Sequence, residues 1–350
     1  MEAYFMKVLI FGGNKASDTL GVIVRGFQRA GLEVEHIPTR KQAQKNPGNA
    51  DDNKPWIEVA RKKLDHNEYE FAFYWNPKYR DYKQGVFEDF RKKYGLRSVY
   101  YTIDDPYVLD NDLVIQNIFP EFDAVVTCCE DSRQRYEKEF KIPALLLHPP
   151  CDEAVHYGAT YYADMNVDFL FAGTNCYTKQ RYPDILAERR EIIRLAAKHG
   201  TLALYGYDDA RDSGWTHPSG GAPELARHYK GFLSYEKLSD RYKSAKISLN
   251  SHVRPDGYKY LNQRVFEILG SGGFMLCDHV NGIEEIFKIG EHFDTWKTKN
   301  ELAEKMKFWI DPANAAKRKE IVKAGQDFVL KHYSSSKFSQ KVIEFMKGVG

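Results

Sequence analysis

Short continuous apolar runs alternate with amphipathic stretches along most of the chain. Lys7–Phe11 (KVLIF) is followed by Gly12-Gly13-Asn14, then by an amphipathic stretch from Thr19 to Ala30 that stops at Gly31, then by EVEHI. That order reads as strand, turn, helix, glycine stop, strand. The pattern continues with a helix over Trp56–His66, the strand FAFYW, a helix over Val86–Tyr94 and the strand SVYYTI. The strands DAVVTC and ALLLH then flank a helix over Arg133–Phe140. Strands that are apolar throughout, joined by helices, predict a parallel sheet covered on both faces.

The stretch HPPCDEAVHYGATYYADMN interrupts the pattern with two prolines and no period. A second series begins at Val167–Gly173 (VDFLFAG). It continues through a helix over Ile185–Lys198, the strand TLALYG, a helix over Glu236–Ser244, the strand KISLN, a helix over Asn262–Gly270, the strand FMLCD, and helices to the end. The chain therefore reads as α/β, with two tandem Rossmann-like doubly wound domains. The first spans 1–155 and the second 164–334, and a last helix over 335–347 has the apolar spacing (Phe338, Val342, Phe345) to pack back on the first. Ligands of such sheets bind beyond the carboxyl ends of the strands, so two facing domains place the site in the cleft between them. Two polar stretches, Thr39–Pro55 and Asp208–Pro223, read as long loops of the kind that often carry function.

Composition narrows this only a little. A chain of 350 residues has the length of two domains. Its 51 basic and 49 acidic residues give a net charge of +2, so only a local patch would attract a polyanion. The five cysteines are odd in number, include an adjacent pair and form no CxxC, which points to a reducing, cytoplasmic setting. No signal-peptide pattern and no apolar run of membrane-spanning length stands out. The histidines show no HxH or HxxxH pairing, so no metal site is expected. Asp110–Asp112 spells DxD but reads as a loop here.

The most informative chemistry lies in YLNQRVFEILGSGGFMLCD (Tyr260–Asp278). Val265, Phe266 and Leu269 form the apolar face of the helix, and Arg264 and Glu267 sit one turn apart on another flank. Both lie near the helix N-terminus, where the dipole and free N–H groups favour anions. An arginine suits phosphate, and a carboxylate can accept two hydrogen bonds from vicinal hydroxyls. Together they suit a nucleotide; the alternative is a local surface ion pair of small consequence. Gly12, Gly13 and Asn14 lack GxGxxG, so they line either a sugar pocket or a plain turn.

The segment LNSHVRPDGYKYLNQRVFEILGSGGFMLCD resembles the donor-site segment of the CgeB/YkvP-like spore-maturation glycosyltransferases. These belong to the GT-B superfamily and are related to the group-1 retaining enzymes. FAGTNCYTKQR, YKGFLSYEKLSDRYKSAKISLN and GQDFVLKHYSSSKFSQKVIEFM extend the likeness over Phe169–Met346. The N-terminal half resembles the family only in topology and in YTIDDPY. The resemblance implies a glycosyltransferase that moves a sugar from a nucleotide-sugar donor, UDP-sugar by default, to a hydroxyl, without a metal and with retention. No cofactor is required beyond the donor.

In that reading Glu267 holds the donor ribose. Asn262, Arg264 and His252 face ribose, phosphate or sugar, and Gly173, Thr174 and Arg181 form the loop around the diphosphate. Where the group-1 enzymes carry an acidic residue eight positions before the glutamate, this chain has Lys259, a phosphate ligand instead. Asp104 and Asp105 are candidate general bases if they are not simply an Asp-Asp-Pro turn or helix cap. His252 is the third catalytic candidate if it is not structural.

The acceptor is read from the first half. Basic clusters (Arg40, Lys41 and Lys45; Arg61–Lys63; Arg91–Lys93) and interleaved aromatics (Tyr74, Trp75, Tyr79, Tyr82, Tyr100, Tyr101) offer stacking and charge to a glycan or cell-surface polymer, or to hydroxymethylated DNA. They equally fit solvated helix faces. A reading of another class, a non-catalytic carbohydrate-binding or structural protein, has the intact Arg264/Glu267 pair against it.

Overall fold

The computed structural model describes residues 6–13, 19–39, 55–75, 83–101, 103, 105–107, 121–175, 183–206, 215–216 and 222–349. The chain divides into two compact units. The first comprises Met1–Pro150, Gly257–Gln263 and Tyr333–Gly350; the second comprises Cys151–Asp256 and Arg264–His332.

The first unit holds a parallel sheet of β1 (Lys7–Gly12), β2 (Glu33–Pro38), β3 (Phe71–Trp75), β4 (Ser98–Tyr101), β5 (Ala124–Thr127) and β6 (Ala144–Leu146), in the order β2-β1-β3-β4-β5-β6. Successive residues of a strand face opposite sides, and here both sides are buried. Leu9, Phe11 and Tyr74 pack with Trp56 of α2 (Pro55–Leu64) and with Phe87 and Phe90 of α3 (Val86–Tyr94). Val8, Ile10 and Phe73 pack on the other face with Ile23 and Phe27 of α1 (Thr19–Arg29). The helix expected from Arg133 starts earlier, as α4 (Glu130–Arg135), and runs on as a π-helical turn over Tyr136–Phe140.

The last helix, α10 (Ser335–Lys347), completes that second face. Phe338, Val342 and Met346 join the α1 side of the core. The Ser334 hydroxyl caps its N-terminus by accepting from the Lys337 amide, and Arg97 donates to the Met346 and Val349 carbonyls at 3.0 and 2.5 Å beyond its end. Helices α1 and α10 touch backbone to side at Gly26, where a Cβ would stand 2.3 Å from the Ser335 carbonyl oxygen. Gly26→Ala must push the two helices apart. It should cost roughly 1–3 kcal/mol of stability, read as a lower melting temperature.

The second unit carries β7 (Phe169–Ala172), β8 (Leu202–Tyr205), β9 (Ile247–Asn250), β10 (Met275–Asp278) and β11 (Asp294–Trp296), all parallel, in the order β11-β10-β9-β7-β8. Its helices include α5 (Pro183–His199), α6 (Tyr235–Ser244), α7 (Gln263–Gly270), α8 (Lys299–Ile310) and α9 (Ala315–Tyr333). From β7 the chain goes to β8 on one side and returns to β9 on the other. That reversal opens a crevice beyond the carboxyl ends of β7 and β9. In the first unit the same reversal falls between β1 and β3, where Gly12 and Gly13 end β1. Gly12 is held close, since a Cβ there would meet Leu20 and Trp75 at 3.0 and 3.1 Å.

Candidate active site

The crevice of the second unit is built from the turn after β7, the end of β9 and the start of α7. The Arg264 guanidinium reaches the turn after β7: its Nη1 lies 3.8 Å from where a Cβ on Gly173 would be, and its Nε donates to the Tyr242 hydroxyl at 3.3 Å. Gly173 also faces the Phe171 ring, 2.8 Å from that same Cβ position, so a side chain here would have to displace the ring. Arg264 thus stands beside Gly173, with Thr174 next in the turn.

Arg189 of α5 is the residue that sequence reasoning missed. It is 4% exposed, donates from Nη1 to the Thr174 carbonyl at 3.0 Å and from Nε to the Ser251 hydroxyl at 3.2 Å, and lies over the Phe171 ring. It ties the turn after β7 to the end of β9. Its only trace in the sequence is an arginine within an ordinary amphipathic helix.

Glu267, expected to hold the donor ribose, is 7% exposed. Burial pushes its carboxyl above the ordinary range, while the Arg264 charge and a hydrogen bond from Tyr235 pull the other way. Tyr235 begins α6 and packs edge-on against the His156 ring, 4.9 Å between centroids. His252 is also buried. Its ring Nδ1 lies 2.6 Å from one oxygen of Asp278, and its backbone N–H donates to the other at 2.7 Å. Asp278 closes β10, so two strand ends fix the imidazole.

Lys259 and Asn262, expected beside Arg264 in the second domain, belong to the first unit. The reason is a set of bonds that local sequence does not display. The Tyr258 amide donates to Asp131 at 2.9 Å, its carbonyl accepts from the Glu130 amide at 3.0 Å, and the Lys259 carbonyl accepts from the buried His148 ring at 2.8 Å. Gln263 bonds Thr19 of α1. Lys259 adopts φ 57°, a left-handed conformation rare outside glycine.

Asp105 does not suit a general base. It is 1% exposed, and its carboxylate accepts from Thr127, from the Ser132 hydroxyl at 2.7 Å, from the Tyr107 amide at 3.0 Å and from the Tyr136 hydroxyl at 3.4 Å. It organises the end of β5 and the start of α4. Asp105→Ala leaves those donors unmatched and should cost about 2–4 kcal/mol of stability. A lowered melting temperature with unchanged UDP affinity in the folded fraction is the expected result; a normal melt with turnover abolished would restore it as a base.

The aromatic platform also proves to be core. Tyr74, Trp75, Tyr100 and Tyr101 are buried between sheet and helices. Four members of the basic clusters are paired surface groups: Arg91 with Asp123, Lys92 with Glu88, Lys93 with Asp65, and Lys63 with Glu35. Asn14, Asp104, Arg181, the Asp110–Asp112 triplet, Arg40, Lys41, Lys45, Tyr79 and Tyr82 lie outside the described residues, as does most of each stretch expected as a long loop.

Residues 187–344 match a family model described as glycosyl transferase-like. No curated protein matches the chain. Several solved structures share its architecture over nearly their whole length. Sucrose-phosphate synthase from Thermosynechococcus elongatus aligns with a TM-score of 0.67 at 13% identity, covering 98% of both chains. Anabaena HepE in complex with UDP-glucose aligns with a TM-score of 0.62 at 12% identity, covering 98% of this chain and 99% of that one. An α-glucosyltransferase in complex with UDP-glucose and DNA containing an abasic site aligns with a TM-score of 0.68 at 13% identity, with the same coverage. Residues 187–344 thus carry the likeness to a glycosyl transferase-like family, and the chain as a whole has the two-sheet α/β fold of these GT-B glycosyltransferase structures. No helix among the described residues is long and apolar enough to cross a membrane.

Proposed function

We propose that the chain transfers a sugar from a UDP-sugar to an acceptor hydroxyl, with retention and without a metal, and that the second unit holds the donor. The observation that carries this reading is the placement of Arg264 against Gly173 at the switch point of the second sheet, one helical turn from Glu267. Arg264 supplies the charge that meets a diphosphate at the turn after β7, and Glu267 takes the ribose hydroxyls. UDP-glucose in the HepE complex supports the choice of nucleotide. The CgeB/YkvP-like branch remains the finer assignment favoured by Leu261–Glu267, and the cysteine usage favours the cytoplasm.

In the reaction, the bond between the anomeric carbon and the diphosphate oxygen breaks and a bond from the acceptor oxygen to that carbon forms. Charge grows on the departing diphosphate, where Arg264 meets it. The acceptor proton passes to the leaving phosphate or to a base. With Asp105 engaged in structure, His252, oriented by Asp278, is the better-placed candidate in the second unit.

The acceptor is a hydroxyl of a glycan or surface polymer. The second reading, a hydroxymethylated base in DNA, draws on the likeness to the DNA-bound α-glucosyltransferase. The pairing of Lys63, Arg91, Lys92 and Lys93 with carboxylates leaves less positive charge for a DNA backbone, which favours the glycan. Incubation with UDP-glucose and each acceptor in turn, followed by mass spectrometry, decides: one hexose added to a glycan is expected. Hexose on hydroxymethylated DNA alone would replace the first reading with the second. UDP release without either acceptor changing would leave hydrolysis as the activity.

A further inference from the structure

The second unit has a cavity of about 640 Å³ at the end of its sheet opposite to Arg264. One wall is a single face of α9, carrying Arg318, Lys319, Lys323 and Gln326. The other is formed by the turns that lead into β9 and β10, with Lys243 and Lys246 on the first. Residues 318, 319, 322, 323 and 326 recur at helical spacing, so the face turned to the cavity is the basic one. Among the described residues no acidic side chain lines it.

The charges divide into two sets. Lys246 is paired with Asp168 at 2.7 Å and Lys323 with Asp327 at 2.6 Å. Lys243 instead donates to the neutral Ala159 carbonyl at 2.8 Å, and Arg318 to the Trp309 and Asp311 carbonyls. Lys319 is exposed. Among the described residues no carboxylate pairs with Lys243, Arg318 or Lys319. Carbonyls orient two of these cations, the Asp168 charge acts on Arg318 from beyond ion-pair distance, and a concave wall focuses the field of the set. The volume is in the range of small-ligand sites.

We propose that this basic cavity is a second anion site, taking a phosphate-bearing ligand on Lys243, Arg318 and Lys319. It is separate from the donor site, and it does not depend on the donor reading. A small phosphorylated metabolite and a phosphodiester backbone share the chemistry it recognises; its concave form favours the small ligand.

Calorimetric titration with inorganic pyrophosphate, with UDP present at a saturating level if UDP binds, tests the proposal. Wild type should bind, with affinity falling as salt rises. Lys319→Glu, an exposed substitution that should leave folding intact, should weaken binding about tenfold or more and leave UDP affinity unchanged. Arg318→Gln should do the same if it folds. A short DNA duplex replaces pyrophosphate in a second arm: tighter binding of the duplex, lost in Lys319→Glu, assigns the site to a phosphodiester backbone, and no duplex binding assigns it to the small ligand. Absence of binding by wild type to both probes below roughly 10 mM, or equal binding by wild type and Lys319→Glu, overturns the proposal.

Discussion

Glu267→Gln should bind UDP about 30-fold or more weakly than wild type while melting no lower. The first half follows from the proposed role. A carboxylate accepts two hydrogen bonds from the ribose; an amide offers one acceptor and sets a donor against the other hydroxyl, a loss of about 2–4 kcal/mol. The second half follows from burial. The folded protein holds the Glu267 carboxyl above its ordinary pKa, so the fold favours the protonated form. A group raised in this way adds stability below its unfolded pKa, and that stability is lost as pH rises through the folded pKa. Once pH has risen through that interval, the ionised, buried Glu267 is a cost to the fold that a neutral glutamine does not carry. Nucleotide affinity has the opposite trend: it should rise with pH through the same interval as the carboxylate forms. A purely structural Arg264–Glu267 pair predicts the reverse for the variant, a lower melting temperature with unchanged UDP binding.

Arg264→Ala should lose about 100-fold or more in kcat/KM, with more of the loss in kcat than in KM. The guanidinium meets charge that grows as the diphosphate leaves, and removing one such preorganised donor costs about 10²–10³ in rate. Arg264→Lys should recover only part of this, because a point charge cannot hold Tyr242 and reach past Gly173 with a planar fork at once. Steady-state kinetics on the UDP-sugar measure it. An equal loss in KM with kcat intact would make Arg264 a ground-state binding group only.

The strands of both sheets were legible because strands buried on two faces are apolar throughout. FAFYW and the helix over Val86–Tyr94 appear with the boundaries the pattern predicts. The same strands explain a misreading: Tyr74, Trp75, Tyr100 and Tyr101 looked like a stacking surface, but on a two-sided sheet every position is inward. β11 was not legible, being three residues whose buried Asp294 is held by Lys305 and Trp309 from α8. Nor was the placement of Gly257–Gln263, which depends on partners more than a hundred residues away in the chain. In the site, Arg264 and the turn at Gly173 were both singled out from the sequence, the first by its spacing and motif and the second by resemblance alone, and the fold sets them side by side. The burial of Glu267 beneath Tyr235, and the arginine that links Thr174 to Ser251, arise only in three dimensions.

The central claim is that the second unit holds a uridine nucleotide through Glu267. Calorimetric titration of UDP into wild type and Glu267→Gln at neutral pH, with thermal melts of both, tests it most directly. The account predicts measurable binding by wild type, a loss of about 30-fold or more in the variant, and a variant melting temperature at or above wild type. Equal UDP affinity in the two proteins, or no UDP binding by wild type, would contradict it.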